Sequence, residues 1–269
     1  MLAYAVTPVH VGMGRAPGIV DLPVQRDTIG YPIVYGSSFK GVLKSSLMNG
    51  KNDNLAKCLF GSEPEDDVKQ MGRLIVTDLI PLFYPVASLS GYVYVTTDYL
   101  IRRAEDLLTA LGLSKLYSGK NGKNVVFEVL ENQAREVEIL LGKLKAAYVV
   151  KPGDAVKNLG SLIRDVSEIY VFSNDIGLNV VESSLVRIAR NKLNDSTKTS
   201  ENLWTEEYLP QGTVMIGGII DAERQNEFCN NVNMNDAMMR LKDISVFLGG
   251  KETVGKGLIK VKVIDGGEK

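Results

Sequence analysis

The apolar positions of the chain switch between two periods. Residues 2–11 are rich in small and β-branched apolar side chains and stop at Gly12, the pattern of a strand that runs into a glycine-punctuated loop. That loop, residues 12–36, carries Gly14, Pro17, Gly18, Pro23, Gly30 and Pro32. A connection longer than ~15 residues inside a compact domain is usually functional or disordered. The period then becomes helical. Phe39, Val42, Leu43 and Leu47 share one helix face behind Ser37 and Ser38, the candidate N-caps, while Lys40 and Lys44 lie four apart on another face. Strand patterns follow over 73–84 and 92–97. Asp98, a candidate N-cap, opens a helix over 98–111 with Leu100, Ala104, Leu107, Leu108 and Leu111 as its buried stripe.

Farther on the pattern is less regular. Residues 125–130 and 138–150 read as strand or mixed structure, 168–172 as a short strand and 175–181 as a brief helix or turn. Residues 187–210 are polar and turn-rich around the single Trp204, which predicts an extended hairpin or projecting loop. Strands over 212–220, 244–248 and 258–264 and a helix over 235–242 complete the chain. Strands and helices alternate without the period of a doubly wound sheet, so the expected class is α+β with antiparallel pairing. No linker divides the sequence, and one elaborated domain over 1–269 is expected.

Composition narrows the function classes. With 45% hydrophobic and 23% charged residues in 269, disordered, collagen-like and fibrous classes are excluded. Two cysteines, Cys58 and Cys229, are too few for a disulfide framework or a Cys-rich zinc site, and the absence of a signal peptide fits an intracellular, cytoplasmic location. No apolar run approaches the ~18–20 residues of a membrane-spanning helix. His10 stands alone, so metal sites built on several histidines are excluded. A net charge of −1 argues against a globally basic nucleic-acid binder, yet it conceals local patches. Residues 1–60 carry six Lys or Arg against three acids, 61–110 carry eight acids against four bases, and 249–262 carry Lys251, Lys256, Lys260 and Lys262 against Glu252 alone. Either these are solvated faces or the fold gathers the basic ones into a footprint for a polyanion.

Three segments carry candidate chemistry. Gly249-Gly250-Lys251-Glu252-Thr253-Val254-Gly255-Lys256-Gly257 joins two strands; it is no Walker loop, because it lacks Gly-Lys-Ser/Thr at the required spacing and leads into a strand. Its glycines would let main-chain N–H groups and lysines approach phosphate oxygens, against the competing reading of a tight strand turn with incidental lysines. Gly36-Ser37-Ser38-Phe39-Lys40-Gly41 places hydroxyls, free amides and a lysine at a helix start, a phosphate-binding arrangement or an ordinary cap. Val20-Asp21-Leu22-Pro23-Val24-Gln25-Arg26-Asp27, after Pro8-Val9-His10-Val11-Gly12, offers two carboxylates, an imidazole and a guanidinium.

Together with Ser88-Leu89-Ser90-Gly91-Tyr92-Val93-Tyr94-Val95-Thr96 and Leu203-Trp204-Thr205-Glu206-Glu207-Tyr208-Leu209-Pro210, these segments resemble the RAMP superfamily of CRISPR proteins. More narrowly, they resemble the repeated backbone subunit of type III-B (Cmr) effector complexes. The resemblance implies a ferredoxin-like, RRM-type palm with insertions and a projecting β-hairpin thumb near 187–210. It also implies a filament of copies along a CRISPR RNA beside other Cmr subunits, with complementary single-stranded target RNA cut at regular intervals. Asp21 matches the cleavage aspartate of the family, whose activity needs a divalent ion, Mg²⁺ or Mn²⁺. Asp21 would be a metal ligand or the base; His10 would be a general base, or a structural or RNA-contacting residue. Asp27 would pair with Arg26 or another base, with catalysis as its fallback role. RNA binding would fall to Ser37, Ser38, Lys40, Lys44, Arg187, Arg190, Gly249, Gly250, Lys251, Gly255, Lys256 and Gly257. Trp204 would be a base stacker or, more simply, part of the core. The alternative is a non-cleaving RAMP subunit or the related type III-A backbone protein.

Overall fold

A computed structural model of the protein describes all residues except 17, 49–52, 90, 119–123, 131–132, 231 and 265–269. Pro17 of the long loop, Lys51 of the first basic segment and Ser90 of the family motif therefore lie outside the described residues.

Along the chain, β1 (Leu2–Ala5) leads through the loop to α1 (Gly36–Leu47) and α2 (Asp53–Phe60). Next come β2 (Leu74–Val76), β3 (Ile80–Ser88), β4 (Gly91–Thr97), α3 (Asp98–Ala110) and α4 (Lys115–Ser118). The middle holds β5 (Phe127–Val129), β6 (Arg135–Ile139), β7 (Gly142–Ala146), β8 (Tyr148–Pro152), α5 (Asp154–Lys157) and α6 (Ser161–Arg164). β9 (Ile169–Phe172) and α7 (Asn174–Ser184) precede the pair β10 (Val186–Leu193) and β11 (Ser200–Tyr208). The chain closes with β12 (Val214–Ile216), β13 (Ile219–Asp221), α8 (Met234–Leu241), β14 (Asp243–Phe247) and β15 (Leu258–Lys262).

Nine strands form the main sheet in the order β14-β15-β1-β12-β3-β4-β9-β8-β5. Pairing is antiparallel except between β4 and β9, which run parallel. The chain between that one parallel pair runs through α3–α6 and β5–β8, well beyond the roughly a dozen residues that parallel strands need for a crossover. The mixed α and β content fits the expected class. β1 sits between β12 and β15, so the first strand is locked by two late ones and carries no exposed residue. Phe39, Leu43, Leu100, Ile101, Ala104, Phe83, Tyr84 and Phe172 are buried in one contiguous core. Full burial of each large apolar side chain contributes about 1.5–3 kcal/mol.

Several boundaries differ from the periodicity. The strand predicted over 73–84 is two, β2 and β3, and that over 212–220 is two, β12 and β13; β2 and β13 leave the main sheet to pair with each other. The first strand ends at Ala5, after which the chain makes only isolated bridges at Val9, His10 and Gly12. Residues 175–181 belong to an eleven-residue helix, α7. α3 is capped by Thr97, whose hydroxyl accepts from Leu100 N–H, and Asp98 is the first helical residue. α1 is capped by Tyr35 without a side-chain bond, so Ser37 and Ser38 lie inside its first turn. Cys58 of α2 and Cys229 form a single disulfide with Cα atoms 4.9 Å apart. Among the described residues no helix is long and apolar enough to cross a membrane.

Candidate functional site

The hairpin β10–β11 has a regular antiparallel register from Val186↔Tyr208 to Lys192↔Asn202. Its tip is turned by Asn194, whose side-chain oxygen accepts from the N–H groups of Ser196 and Thr197, both at 3.0 Å. Against its base lies the long loop. Leu22 N–H donates to Thr205 O at 3.0 Å and Glu207 N–H donates to Leu22 O at 3.0 Å, a short parallel bridge. This docking sets Asp21 beside Thr205. Thr205 N–H and Oγ1–H donate to Asp21 Oδ2 at 2.8 and 2.9 Å, and Asp21 N–H donates to Thr205 Oγ1 at 3.0 Å. The Thr205 main-chain N–H, then its hydroxyl, and the nearby Arg15 charge hold the Asp21 carboxyl below the usual carboxylate range. Asp21 is exposed, so the site presents an ionised carboxylate to solvent.

Behind it two consecutive carboxylates are buried, with side chains of Glu206 and Glu207 only 1% and 2% exposed. Successive strand residues face opposite sides, and the two acids collect different partners. Glu206 accepts from Lys251 Nζ at 2.6 Å, Trp204 Nε1 at 2.7 Å, Arg190 Nε at 3.2 Å and the Tyr208 hydroxyl. Burial alone would raise its pKa, but these bonds from Lys251, Tyr208, Trp204 and Arg190 outweigh it and bring the carboxyl to about 2. Glu207 accepts from Arg26 at 2.7 Å and Arg187 at 3.1 Å, and both guanidiniums also bind Glu182. Loop, hairpin and α7 are thus cross-linked by shared charges.

His10 is buried in the same junction. Its Nδ1 donates to Glu207 O at 2.7 Å, and its ring centroid lies 5.4 Å from that of Tyr208. The glycine-rich loop wraps its backbone: Gly250 N–H donates to His10 O at 2.9 Å. A Cβ on Gly249 would stand 2.2 Å from His10 O, and one on Gly257 would stand 2.4 Å from Leu248 O. Both residues have positive φ. At these two positions the close approach is to the protein's own chain.

A profile of the RAMP superfamily matches residues 3–260. The chain belongs to the RAMP superfamily. In sequence this RAMP chain is 29% identical over 281 residues to the CRISPR system Cmr endoribonuclease Cmr4 of Pyrococcus furiosus, covering 96% of this chain and 92% of that protein. It is 28% identical over 298 residues to the CRISPR system CMR subunit Cmr4 of Saccharolobus solfataricus, covering 96% and 94%. In structure it is similar to a chain of the type III-B Cmr-beta complex in its apo state, with a TM-score of 0.72 at 27% identity over 98% of this chain and 96% of that one. It shares its fold with oligomeric Cmr4 from Pyrococcus furiosus, with a TM-score of 0.62 at 23% identity over 97% and 96%.

The predicted cations of this RAMP chain separate into two groups. Arg187, Arg190 and Lys251 are paired with Glu182, Glu206 and Glu207, and Lys44 with Glu63 at 2.6 Å. Lys40 and Lys256 have no carboxylate partner among the described residues. Lys256 lies 5.6 Å over the Tyr208 ring, and Lys40 is shifted down by burial and then by the like charges of Lys44 and Arg224. At the start of α1, Gly36 N–H donates to Asp78 Oδ1 at 2.6 Å, so one of the free amides expected there serves a carboxylate of the protein itself. Asp27 accepts from Arg103 and Tyr99, both at 2.9 Å, while Arg26 goes to Glu182 and Glu207. Trp204, expected in the core, is half-buried on the hairpin.

Thr205, Glu206, Glu207 and Glu182 were not singled out from sequence as site residues. A signal exists for one pair, because Arg187 stands directly opposite Glu207 in the hairpin register and opposite charges at that position attract.

Proposed function

We propose that the chain is the repeated backbone subunit of a type III-B CRISPR ribonucleoprotein, which binds CRISPR RNA as a filament of copies and cuts complementary target RNA at regular intervals. The observation that carries this reading is an exposed, ionised Asp21 fixed to the base of a projecting hairpin, in a chain that aligns over 96% of its length with a relative named as an endoribonuclease. The hairpin β10–β11 is the thumb of this reading, the main sheet with its helices is its ferredoxin-like palm, and other Cmr subunits are its neighbours.

RNA carries its own nucleophile, the 2′-OH, so cleavage needs in-line placement and relief of charge on the phosphoryl oxygens. A carboxyl held below its ordinary range is a weak proton acceptor at neutral pH, which favours an electrostatic or metal-binding role for Asp21 over that of general base. The described residues contain no cluster of three or more His, Cys, Asp or Glu suited to a metal. Asp21 nevertheless fits as a single protein ligand, since both Thr205 bonds fall on Oδ2 and Oδ1 accepts none among the described residues. Mg²⁺ is commonly held by one or two carboxylates, substrate phosphates and waters, and Mn²⁺ prefers the same oxygen donors. Bound there, the ion would supply neutralisation of phosphoryl charge. Ser37, Ser38, Lys40 and Lys256 supply the guide contacts, read through the backbone and independent of sequence. Arg187, Arg190 and Lys251 hold the junction together and set the thumb's angle.

The test is cleavage of a guide-complementary RNA by the reconstituted complex with Mg²⁺ or Mn²⁺, comparing the wild type with Asp21→Ala. Product at regular intervals from the wild type and none from the variant is expected. Equal product from both removes the cleavage role of Asp21 and leaves the backbone role intact.

A further inference from the structure

We propose that Thr205 is the positioning residue for the cleavage carboxylate, selecting through its N–H and Oγ1 which oxygen of Asp21 is offered to the RNA; this rests on the function proposed above. The loop does not need this side-chain contact to stay in place. Main-chain bonds from Leu22 to Thr205 and from Glu207 to Leu22 dock it to the hairpin, and those from Met13 to Pro23 and from Gln25 to Val11 fold it onto itself and the preceding segment. An exposed aspartate on such a loop would otherwise rotate freely. Instead both Thr205 donors converge on Oδ2, at 2.8 and 2.9 Å, and neither on Oδ1.

The hydroxyl has one proton and two acceptors within reach, Asp21 Oδ2 at 2.9 Å and Ile19 O at 3.5 Å. The shorter contact to a charged oxygen wins. With that proton committed, the Thr205 lone pairs accept from Asp21 N–H at 3.0 Å, which ties the backbone and the carboxylate of one residue to one hydroxyl. The anchor is itself rigid. The next residue, Glu206, is held by Arg190 of β10 and Lys251 of the glycine-rich loop, so β11 cannot shift without breaking those bonds. A reactive group supported in this way is expected to lose about 10- to 100-fold in rate when its geometry loosens by an ångström.

The test uses the assembled, guide-loaded complex and single-turnover cleavage of complementary RNA by Thr205→Val, Thr205→Ser and Asp21→Asn. The expected pattern is a fall of about 10- to 100-fold for Thr205→Val with target affinity unchanged, near wild-type rate for Thr205→Ser, and no product from Asp21→Asn. On the full chain alone, NMR titration of Asp21 should show its midpoint rising in Thr205→Val and returning in Thr205→Ser. If Thr205→Val does not assemble, Thr205→Ala removes the same hydroxyl without a second methyl to place. Wild-type cleavage by Thr205→Val with an unmoved Asp21 midpoint, or equal losses in Val and Ser, overturns the inference while an inactive Asp21→Asn leaves the cleavage reading standing. Wild-type cleavage by Asp21→Asn removes that reading and the inference with it.

Discussion

Replacing Glu206 by Gln keeps the shape of a side chain that is 1% exposed and removes its charge. Oε1 accepts from Trp204 and Lys251, and Oε2 from Arg190 and Tyr208. Turned toward Trp204 and Lys251 its NH₂ faces two donors, and turned the other way it faces the Arg190 guanidinium while the Tyr208 hydroxyl can reverse and accept. The folded carboxyl sits at about 2 against an ordinary 4.5, which at ~1.36 kcal/mol per tenfold change in proton affinity corresponds to about 3 kcal/mol. Lys251 and Arg190 are each 33% exposed, so water takes over part of what they lose; a loss of about 2–3 kcal/mol is expected, or roughly 5 °C in Tm for a chain of this size. The sign follows from the depressed value. The stabilisation is fully present above pH 4.5 and disappears as the pH falls through about 2. Urea unfolding of wild type and Glu206→Gln at several pH values between 7 and 3 should give a gap that is constant above 5 and narrows by up to ~1.4 kcal/mol per pH unit below 4.5. Parallel curves down to pH 3, or coincident ones at pH 7, would refute the idea that these four donors act on an ionised carboxylate.

Three more outcomes are expected, two from the charge pairing and one from the disulfide. Because Lys40 and Lys256 lack carboxylate partners among the described residues, Lys40→Ala with Lys256→Ala should weaken assembly on guide RNA and reduce the slope of log K against log salt by about 1.4, that is ~0.7 for each lost contact with a single strand; an unchanged slope refutes the patch, and Lys251→Ala is expected instead to lower stability through Glu206. The Cys58–Cys229 disulfide spans 171 residues, for which loop-closure entropy gives an upper value of about 5 kcal/mol, so Cys58→Ser should melt well below the oxidised protein and match the reduced wild type, and coincident oxidised and reduced melts would show that the bridge contributes nothing.

Elements governed by local chemistry were legible in the sequence: the helical stripe of Phe39, Leu43 and Leu47, the helix over 98–110 and the hairpin around Trp204 all appear where periodicity and turn residues put them. Elements governed by tertiary context were not. Thr97 caps α3 in place of Asp98 because the preceding strand β4 delivers it in extended conformation at the helix start. Asp21 was legible as a candidate, but its partner Thr205 stands 184 residues away, and no spacing rule connects them. The same holds for Gly249 and Gly257 of the glycine-rich loop, where a Cβ would meet the carbonyls of His10 and Leu248.

The charge balance gains a different meaning from these contacts. A chain with 31 basic and 32 acidic residues gives no hint of a polyanion partner, and three of the six predicted RNA-binding cations, Arg187, Arg190 and Lys251, are committed to carboxylates buried at the hairpin base. Counting lysines and arginines therefore overstates the surface available to phosphate. Those three cations are still needed by an RNA-binding role, because they hold the two acids in place. In the reading proposed above, a thumb set between nucleotides works against base unstacking, a few kcal/mol per step. A hairpin base fastened by backbone bonds of ~1 kcal/mol each is reinforced by charged side-chain bonds. One fastened also through the buried carboxylates of Glu206 and Glu207 would hold its angle under that load and keep Asp21, which is bonded to Thr205 beside them, in a fixed place.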